Sequence, residues 1–438
     1  MGPWLDSVTG WLTANPQWLG LAVFVVACVE CMAIAGIIVP GTILLFAIAV
    51  MAGSGALPLG ETLLLGMLGG LLGDLVSYGL GRRFHQGIRR LPGLRSHPQW
   101  MAGAEAYFQR YGIVSLLIGR FIGPLRPMLP MVAGMCDMPF ARFLAVSLLA
   151  GAGWSVAYLL PGWATGAALR LPLPDGFWPQ AAAVAVGLAA LLGLSINSGL
   201  RRHPRTTQLI AGLSGALLLA MFIGFPYLKQ FDQGVMALVQ EHRSPSMDFA
   251  AVVVTSLGEF RTQFCVALLL TCLLFLCRQW RHGLFVGATL AGTAVANTLS
   301  KMFFARVRPE VLADPLTSFS MPSGHSSGAF AFCLMLAVLA GRGQPPRMRL
   351  TWLLLGCLPA AAIALSRVYL GAHWPTDILA GALLAICALA VSLTLSQRYM
   401  PLEPLPPKVC WLILPACIAL YSYFALHHLP HHLLRYAY

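Results

Sequence analysis

Charge is scarce in this sequence. Only 10% of its 438 residues are Asp, Glu, Lys or Arg, 58% are hydrophobic, and the mean hydropathy is +0.76. A soluble domain of ordinary composition cannot bury that much apolar surface, so that class is excluded. No low-complexity tract occurs. A second CxxC is lacking as well. Cys28 and Cys31 form one, but the eleven cysteines lie mostly inside apolar runs and read as buried small hydrophobes, not as a metal or redox site. The opening MGPWLDSVTGWL lacks a basic region followed by an apolar stretch and a small-residue cleavage site, so no removable signal peptide is expected. MGPW also lacks the Ser or Thr of a myristoylation signal.

What the chain has in quantity is long apolar runs. They cover residues 63–80, 140–160, 178–196, 208–228, 264–276, 284–303, 324–340, 350–370, 378–395 and 411–426. Runs near 20 residues span the hydrocarbon as helices. Two further apolar stretches, 19–50 and 113–133, are broken by Gly and Pro. The fold class expected is an all-α polytopic integral membrane protein.

The formal charge of +13 is concentrated in loops: Arg82, Arg83, Arg89, Arg90 and Arg95; Arg201, Arg202 and Arg205; Arg278 and Arg281; Arg342, Arg347 and Arg349; Arg398 and Lys408. Basic short loops stay cytoplasmic, so the excess reports topology and anionic-lipid contact and not nucleic acid. The short basic segment 199–206 divides the chain into two parts: 1–198 before it and 207–400 after it. A Pro-rich connector and an extra helix follow over 401–438. In the second part, alternating helices place 301–324 and 366–377 in loops on one external side. The stretch VMALVQEHRSPSMD, residues 235–248, reads as a short interfacial helix.

Three polar constellations fall on that side: KMFFARVRP from Lys301, PSGH from Pro322, and SRVYLGAHWPTD from Ser366. They supply the cations Lys301, Arg308 and Arg367, the donors Ser323 and Gly324 N–H, and His325, His373 and Asp377. Several cations around small donors suit a phosphoryl group, whose transfer is mostly positioning and charge stabilisation. Pro375 suits the first turn of a helix, and Asp377, four residues after His373, can fold back to the imidazole. His325 begins another helix, whose N-terminus favours an anion.

These motifs resemble the signature of the type 2 phosphatidic acid phosphatase superfamily, KxxxxxxRP, PSGH and SRxxxxxHxxxD, over roughly residues 207–397. The resemblance implies a six-helix membrane bundle and metal-independent dephosphorylation with no cofactor. His373 would be the nucleophile, forming a phosphohistidine, with Asp377 orienting it and His325 protonating the leaving group. Lys301, Arg308, Ser323, Gly324 and Arg367 would hold the phosphate. Family substrates include undecaprenyl diphosphate, phosphatidic acid and phosphatidylglycerol phosphate.

In the first half, charges lie where a membrane segment does not carry them idly. Glu30 precedes the Pro40–Gly41 break, Asp74 lies in GGLLGDLVSYGLGRR, and Arg120 and Arg126 flank a second Gly–Pro break. Each broken hairpin precedes a full helix, the pattern of an inverted repeat around a central polar site. A purely structural alternative has Glu30 pairing with an Arg to hold the hairpins together. Glu30, Pro40–Gly41, GDxxxYGLGRR from Gly73, FQRYG from Phe108 and GRFIGPLRP from Gly119 resemble the DedA family over roughly 24–166. That resemblance implies lipid transport, notably inward flipping of undecaprenyl phosphate, with Glu30, Asp74, Arg120 and Arg126 as the functional set. The combined expectation is a bifunctional protein of a bacterial inner membrane that acts on membrane lipid phosphates. Undecaprenyl diphosphate is the favoured substrate; the alternatives are a phosphatidic acid or phosphatidylglycerol phosphate phosphatase, or a transporter whose phosphatase half only binds lipid. The final HHLPHHLLRYAY is expected to be an interfacial tail; the other reading of its histidines is a metal site.

Overall fold

The structure is a computed structural model that describes residues 10–33, 35–38, 41–84, 87, 102–103, 105–106, 108–109, 112–120, 126–201, 205–312 and 317–436. Among these the regular elements are helical and none is a strand. Among the described residues, seven helices are long and apolar enough to cross a bilayer, or eight if Met247–Ser256 and Phe260–Leu276, bent by 40°, form one span. The chain is an all-α polytopic membrane protein, as backbone hydrogen-bonding in hydrocarbon requires of so apolar a sequence.

Contacts divide it into two compact units between Pro172 and Leu173. The sequence boundary at 198/199 falls one helix later, because Phe177–Leu200 packs with the second unit. Loop charge reports the side of the membrane on which a helix ends; it carries no information about the bundle the helix joins.

The first unit holds α1 (Leu19–Cys31), α2 (Ala35–Ile38), α3 (Gly41–Met51), α4 (Leu59–Phe84), α5 (Ile113–Gly119), α6 (Met128–Met135) and α7 (Phe140–Arg170). Both apolar stretches expected to be broken are broken. The first leaves helical geometry at Met32, whose ψ is 135°. Pro40 of the first break, residues 121–125 of the second, Arg89, Arg90, Arg95, Arg110 and Tyr111 lie outside the described residues. The run GGLLGDLVSYGLG makes α4 the hub. A Cβ at Gly69 would lie 2.2 Å from the Phe24 carbonyl oxygen and one at Gly73 2.3 Å from that of Cys28, so α1 approaches backbone to backbone. Gly81 admits Met131 of α6 in the same way, at 2.0 Å. Small residues at such seams are how membrane helices pack without a hydrophobic driving force.

The second unit holds α8 (Phe177–Leu200), α9 (Thr206–Gly224), α10 (Lys229–Glu241), α11 (Pro245–Ser256), α12 (Phe260–Leu276), α13 (Trp280–Phe304), α14 (Gly324–Ala340), α15 (Pro346–Tyr369), α16 (Pro375–Tyr399) and α17 (Pro407–Arg435). Helix α14 packs on α15 and α16, α9 on α16, and α17 on α11 and α12. The stretch 235–248 is two helices and not one. Ser244 is extended, and Pro245 at the first helical position starts α11 afresh. The expected last helix, 411–426, extends at both ends to Pro407 and Arg435.

Candidate active site

The site is built where α13, α14, α15 and α16 end. Ala305 caps α13 in the left-handed region, φ +44°, and turns the chain out of the helix just before Arg306 and Arg308. Gly371 turns it out of α15 at φ +70°, where a Cβ would lie 2.5 Å from Val311; only glycine fits both the angle and the space. His373 follows, almost wholly buried. Pro375 opens α16, and Asp377 accepts the Trp374 N–H at 2.9 Å, capping the helix. The Ser323 N–H donates to the Asp377 carbonyl at 3.0 Å, so PSGH is tied to the same helix start.

Arg308 Nη1 lies 2.9 Å from His373 Nε2. A guanidinium carries donors only, so Nε2 must offer its lone pair and the ring proton sits on Nδ1. Nδ1 is 3.3 Å from Ser320 Oγ and 3.5 Å from Asp377 Oδ2. Ser320 Oγ donates in turn to Asp377 Oδ2. The carboxylate therefore does turn back toward the imidazole, with a serine hydroxyl between them that the spacing gave no sign of. Burial holds the His373 pKa well below the ordinary imidazole value, and the charges of Arg308, Arg367 and Lys301 press it in the same direction.

Arg308 also donates to the carbonyls of Ser318 and Ala372, each at 2.6 Å. Lys301 Nζ donates to the carbonyl of Phe319, which positions the segment bearing Ser320. Arg367 is buried and donates from Nη1 to Thr255 Oγ1 at 3.0 Å and to Tyr436 Oη at 2.6 Å. Ser323 is fully buried and is the N-cap of α14, accepting from Ser326 N–H at 3.4 Å. Gly324 is the first residue of that helix. His325, half-buried, packs on the turn between α11 and α12, where a Cβ at Gly258 would lie 3.1 Å from its Cδ2. Lys301, Arg308, His373 and Asp377 thus share one hydrogen-bonded cluster, and the PSGH residues attach to it through the backbone.

Three further residues belong to the cluster. Besides Ser320, Arg306 donates from Nη1 to Asp377 Oδ1 at 2.8 Å and from Nη2 to Asp232 Oδ2 at 2.6 Å. Asp232, on α10, also accepts the N–H and hydroxyl of Thr376 at 2.9 and 2.7 Å. Arg306 stood inside the quoted KMFFARVRP. Asp232 carried no signal, because 144 positions separate it from Thr376.

The first unit has its own polar centre. Glu30 of α1 pairs with Arg126, and Asp74 of α4 pairs with Arg120. The Trp154 ring of α7 lies 5.2 and 5.3 Å from the two guanidinium carbons. Thr42 Oγ1 donates to Glu30 at 2.7 Å. All four expected charged residues are buried and are brought together as two crossed pairs. Glu30 Oε2 and the Nε atoms of Arg120 and Arg126 are buried without partners.

Comparison with known proteins agrees with this two-part layout. The chain matches the VTT domain over residues 39–164 and the PAP2 superfamily over 282–401. It is 36% identical over 161 residues to the inner membrane protein YabI of Escherichia coli. It is 31% identical over 185 residues to an uncharacterized membrane protein of Mycobacterium tuberculosis, 81% of whose length it covers. It joins a DedA-family domain to a PAP2 superfamily domain. The DedA-type match takes in 37% of this chain and 63% of YabI. The inner membrane protein YqjA of E. coli is 30% identical over 35% of this chain and 71% of its own length. The PAP2 half is similar to the crystal structure of a transmembrane PAP2 type phosphatidylglycerolphosphate phosphatase from Bacillus subtilis. That likeness is 21% identical, with a TM-score of 0.41, over 44% of this chain and 98% of that one. It is too loose to carry functional weight.

Proposed function

We propose that the PAP2 half is a membrane lipid phosphatase working through a phosphohistidine on His373, and that the DedA half moves a lipid phosphate across the bilayer. The observation that carries the first part is the Arg308–His373 contact at 2.9 Å, which turns the Nε2 lone pair toward a cation that would also hold the phosphate. Nε2 attacks phosphorus while the bond to the leaving oxygen breaks, and His325 supplies that oxygen's proton. Water then gives its proton back to His325 and attacks phosphorus, the N–P bond breaks, and inorganic phosphate leaves. The Nδ1 proton stays directed at Ser320 and Asp377 throughout, which stabilises the positive charge on the phosphorylated ring. Lys301, Arg308 and Arg367 balance the phosphoryl charge.

Undecaprenyl diphosphate is the substrate favoured, hydrolysed at the external face of a bacterial inner membrane to the monophosphate. The loop-charge topology supports that face, and the DedA half supports the lipid, because its monophosphate must return across the bilayer. The test is phosphate release by purified protein in detergent over undecaprenyl diphosphate, phosphatidic acid and phosphatidylglycerol phosphate, with His373→Ala alongside. Undecaprenyl diphosphate should turn over fastest, and the variant should be inactive on all three. Faster turnover of a glycerophospholipid would replace the substrate; wild type inert on every lipid would leave the PAP2 half as a lipid-binding partner of a transporter.

A further inference from the structure

Helix α17 lies beyond residue 401, where the PAP2 match ends, yet it is built into the second unit. Ile413 and Cys417 sit in the same buried cluster as Val266, Leu270 and Met335 of the bundle. Its 29 residues rise about 44 Å. They deliver Tyr436 to the end of the bundle that holds the cluster around His373. There Tyr436 is 5% exposed and packs with Leu312, Leu370 and Ala372, the last of these adjacent to His373. Its Oη accepts from Arg367 Nη1 at 2.6 Å, and the guanidinium carbon lies 5.1 Å from its ring centroid.

Arg367 is the one cation of the proposed phosphate site that is wholly enclosed, at 1% exposure. Thr255 and Tyr436 share its Nη1, while its Nε is buried with no partner. One end of the planar fork is thus fixed to the protein and another donor is left for an anion. A guanidinium binds phosphate through such paired donors, so fixing its plane fixes its aim. The charge of Arg367 also reaches His373, which places it within electrostatic range of the reacting nitrogen.

We propose that Tyr436 is a positioning residue of the phosphate site, and that α17 completes that site by holding Arg367 in place. The inference rests on the phosphatase reading above. It gives the extra helix a task in substrate affinity, where the sequence offered for its end an interfacial tail or a metal site. The ring and the hydroxyl are separable. Phenylalanine keeps the apolar packing and the stacking under Arg367 but loses the hydrogen bond.

The test compares the full-length wild type with Tyr436→Phe in detergent, using 4-nitrophenyl phosphate as substrate, inorganic phosphate as competitor and thermal unfolding as a control. A hydrogen bond to a charged group is lost, so KM and the phosphate inhibition constant should each rise about tenfold. The change in kcat should stay under about twofold, with the same unfolding temperature, as expected of lost ground-state and transition-state binding alike. Because the effect runs through Arg367, Tyr436→Phe should add less than about twofold in an Arg367→Lys background. Unchanged KM and inhibition constant overturn the inference, as does a full tenfold effect that persists in that background. Faster turnover without the hydroxyl also overturns it and makes Tyr436 an obstruction. His373→Ala is run in parallel. If that variant keeps wild-type turnover, the phosphatase site itself is misassigned; if it is inactive while Tyr436→Phe behaves as wild type, only the role of Tyr436 falls.

Discussion

As the proposed nucleophile, His373 meets two opposite demands. Its Nε2 needs a free lone pair, and its surroundings need enough positive charge to hold a phosphate. Burial beside Arg308, Arg367 and Lys301 meets both, because it disfavours the imidazolium. The sign follows for pH. A depressed folded pKa keeps the neutral nucleophile present below the ordinary imidazole range, so kcat/KM should not fall as pH drops through about 6.5; an acid limb centred at or above that value in a pH–rate profile would contradict it. Asp377→Asn should leave the fold intact and lower kcat by roughly two to four orders of magnitude, as in other sites where a carboxylate orients a histidine. Arg306 is a different case, because it stands between two buried carboxylates. Arg306→Ala leaves both uncompensated and should destabilise the protein by about 3–5 kcal/mol. Removing Asp232 as well should recover part of the lost stability in thermal unfolding, though not the activity.

At the scale of helices, α4 shows how the sequence writes its contacts. Gly73 and Gly79 lie on the same helix, yet a Cβ at Gly73 would collide with the Cys28 backbone while one at Gly79 would meet nothing within 4 Å. Gly73→Ala should force α1 and α4 apart and lower the unfolding temperature in detergent, by a free-energy change of about 1–3 kcal/mol. Gly79→Ala should be neutral or slightly stabilising, since alanine is the better helix former. Equal behaviour of the two would mean that the close seam does not matter. Helix α10 shows a converse case. Its second half was read as part of one interfacial helix over 235–248, whereas its most important residue, Asp232, lies before that stretch, is buried and anchors the start of α16.

For the whole molecule, the question is why a DedA-family domain and a PAP2 superfamily domain share one chain. On the proposed reading, a lipid phosphatase would release its product in one leaflet, and a charged headgroup crosses hydrocarbon slowly without help. Glu30, Asp74, Arg120 and Arg126 are paired with one another, so a transported headgroup would have to exchange for those pairs; the buried unpartnered Nε atoms of both arginines are where exchange can begin. Arg120→Ala and Arg126→Ala should leave phosphatase activity in detergent within about twofold of wild type and slow undecaprenyl phosphate movement between leaflets of proteoliposomes. Movement at the protein-free rate by wild type and both variants would make the pairs a scaffold, the structural alternative raised by Glu30. EDTA should leave hydrolysis intact, because Lys301, Arg308 and Arg367 supply the positive charge that a metal would otherwise bring to the phosphoryl oxygens. Among the described residues no group of three His, Cys, Asp or Glu is arranged to hold one. The side chains of His428, His431 and His432 lie outside the described residues, while His427 stacks on Tyr423 at 5.6 Å.

The sequence by itself determined the environment, the element type and several members of the polar cluster. A chain this apolar must be helical in a bilayer, and its few charges in apolar surroundings mark sites because burying them idly is unfavourable. Lys301, Arg308, His373 and Asp377 were legible because local spacing around helix ends carries them. Tertiary structure alone decided the partners across long separations: Ser320 between His373 and Asp377, Arg306 bridging to Asp232, Tyr436 on Arg367, Glu30 with Arg126, and α8 in the second unit. None of these leaves a periodic trace. A helix or a turn is fixed by neighbours a few residues apart, whereas a side-chain pair 69 or 144 positions apart, as at Tyr436 and Asp232, exists only once the bundle has closed around it.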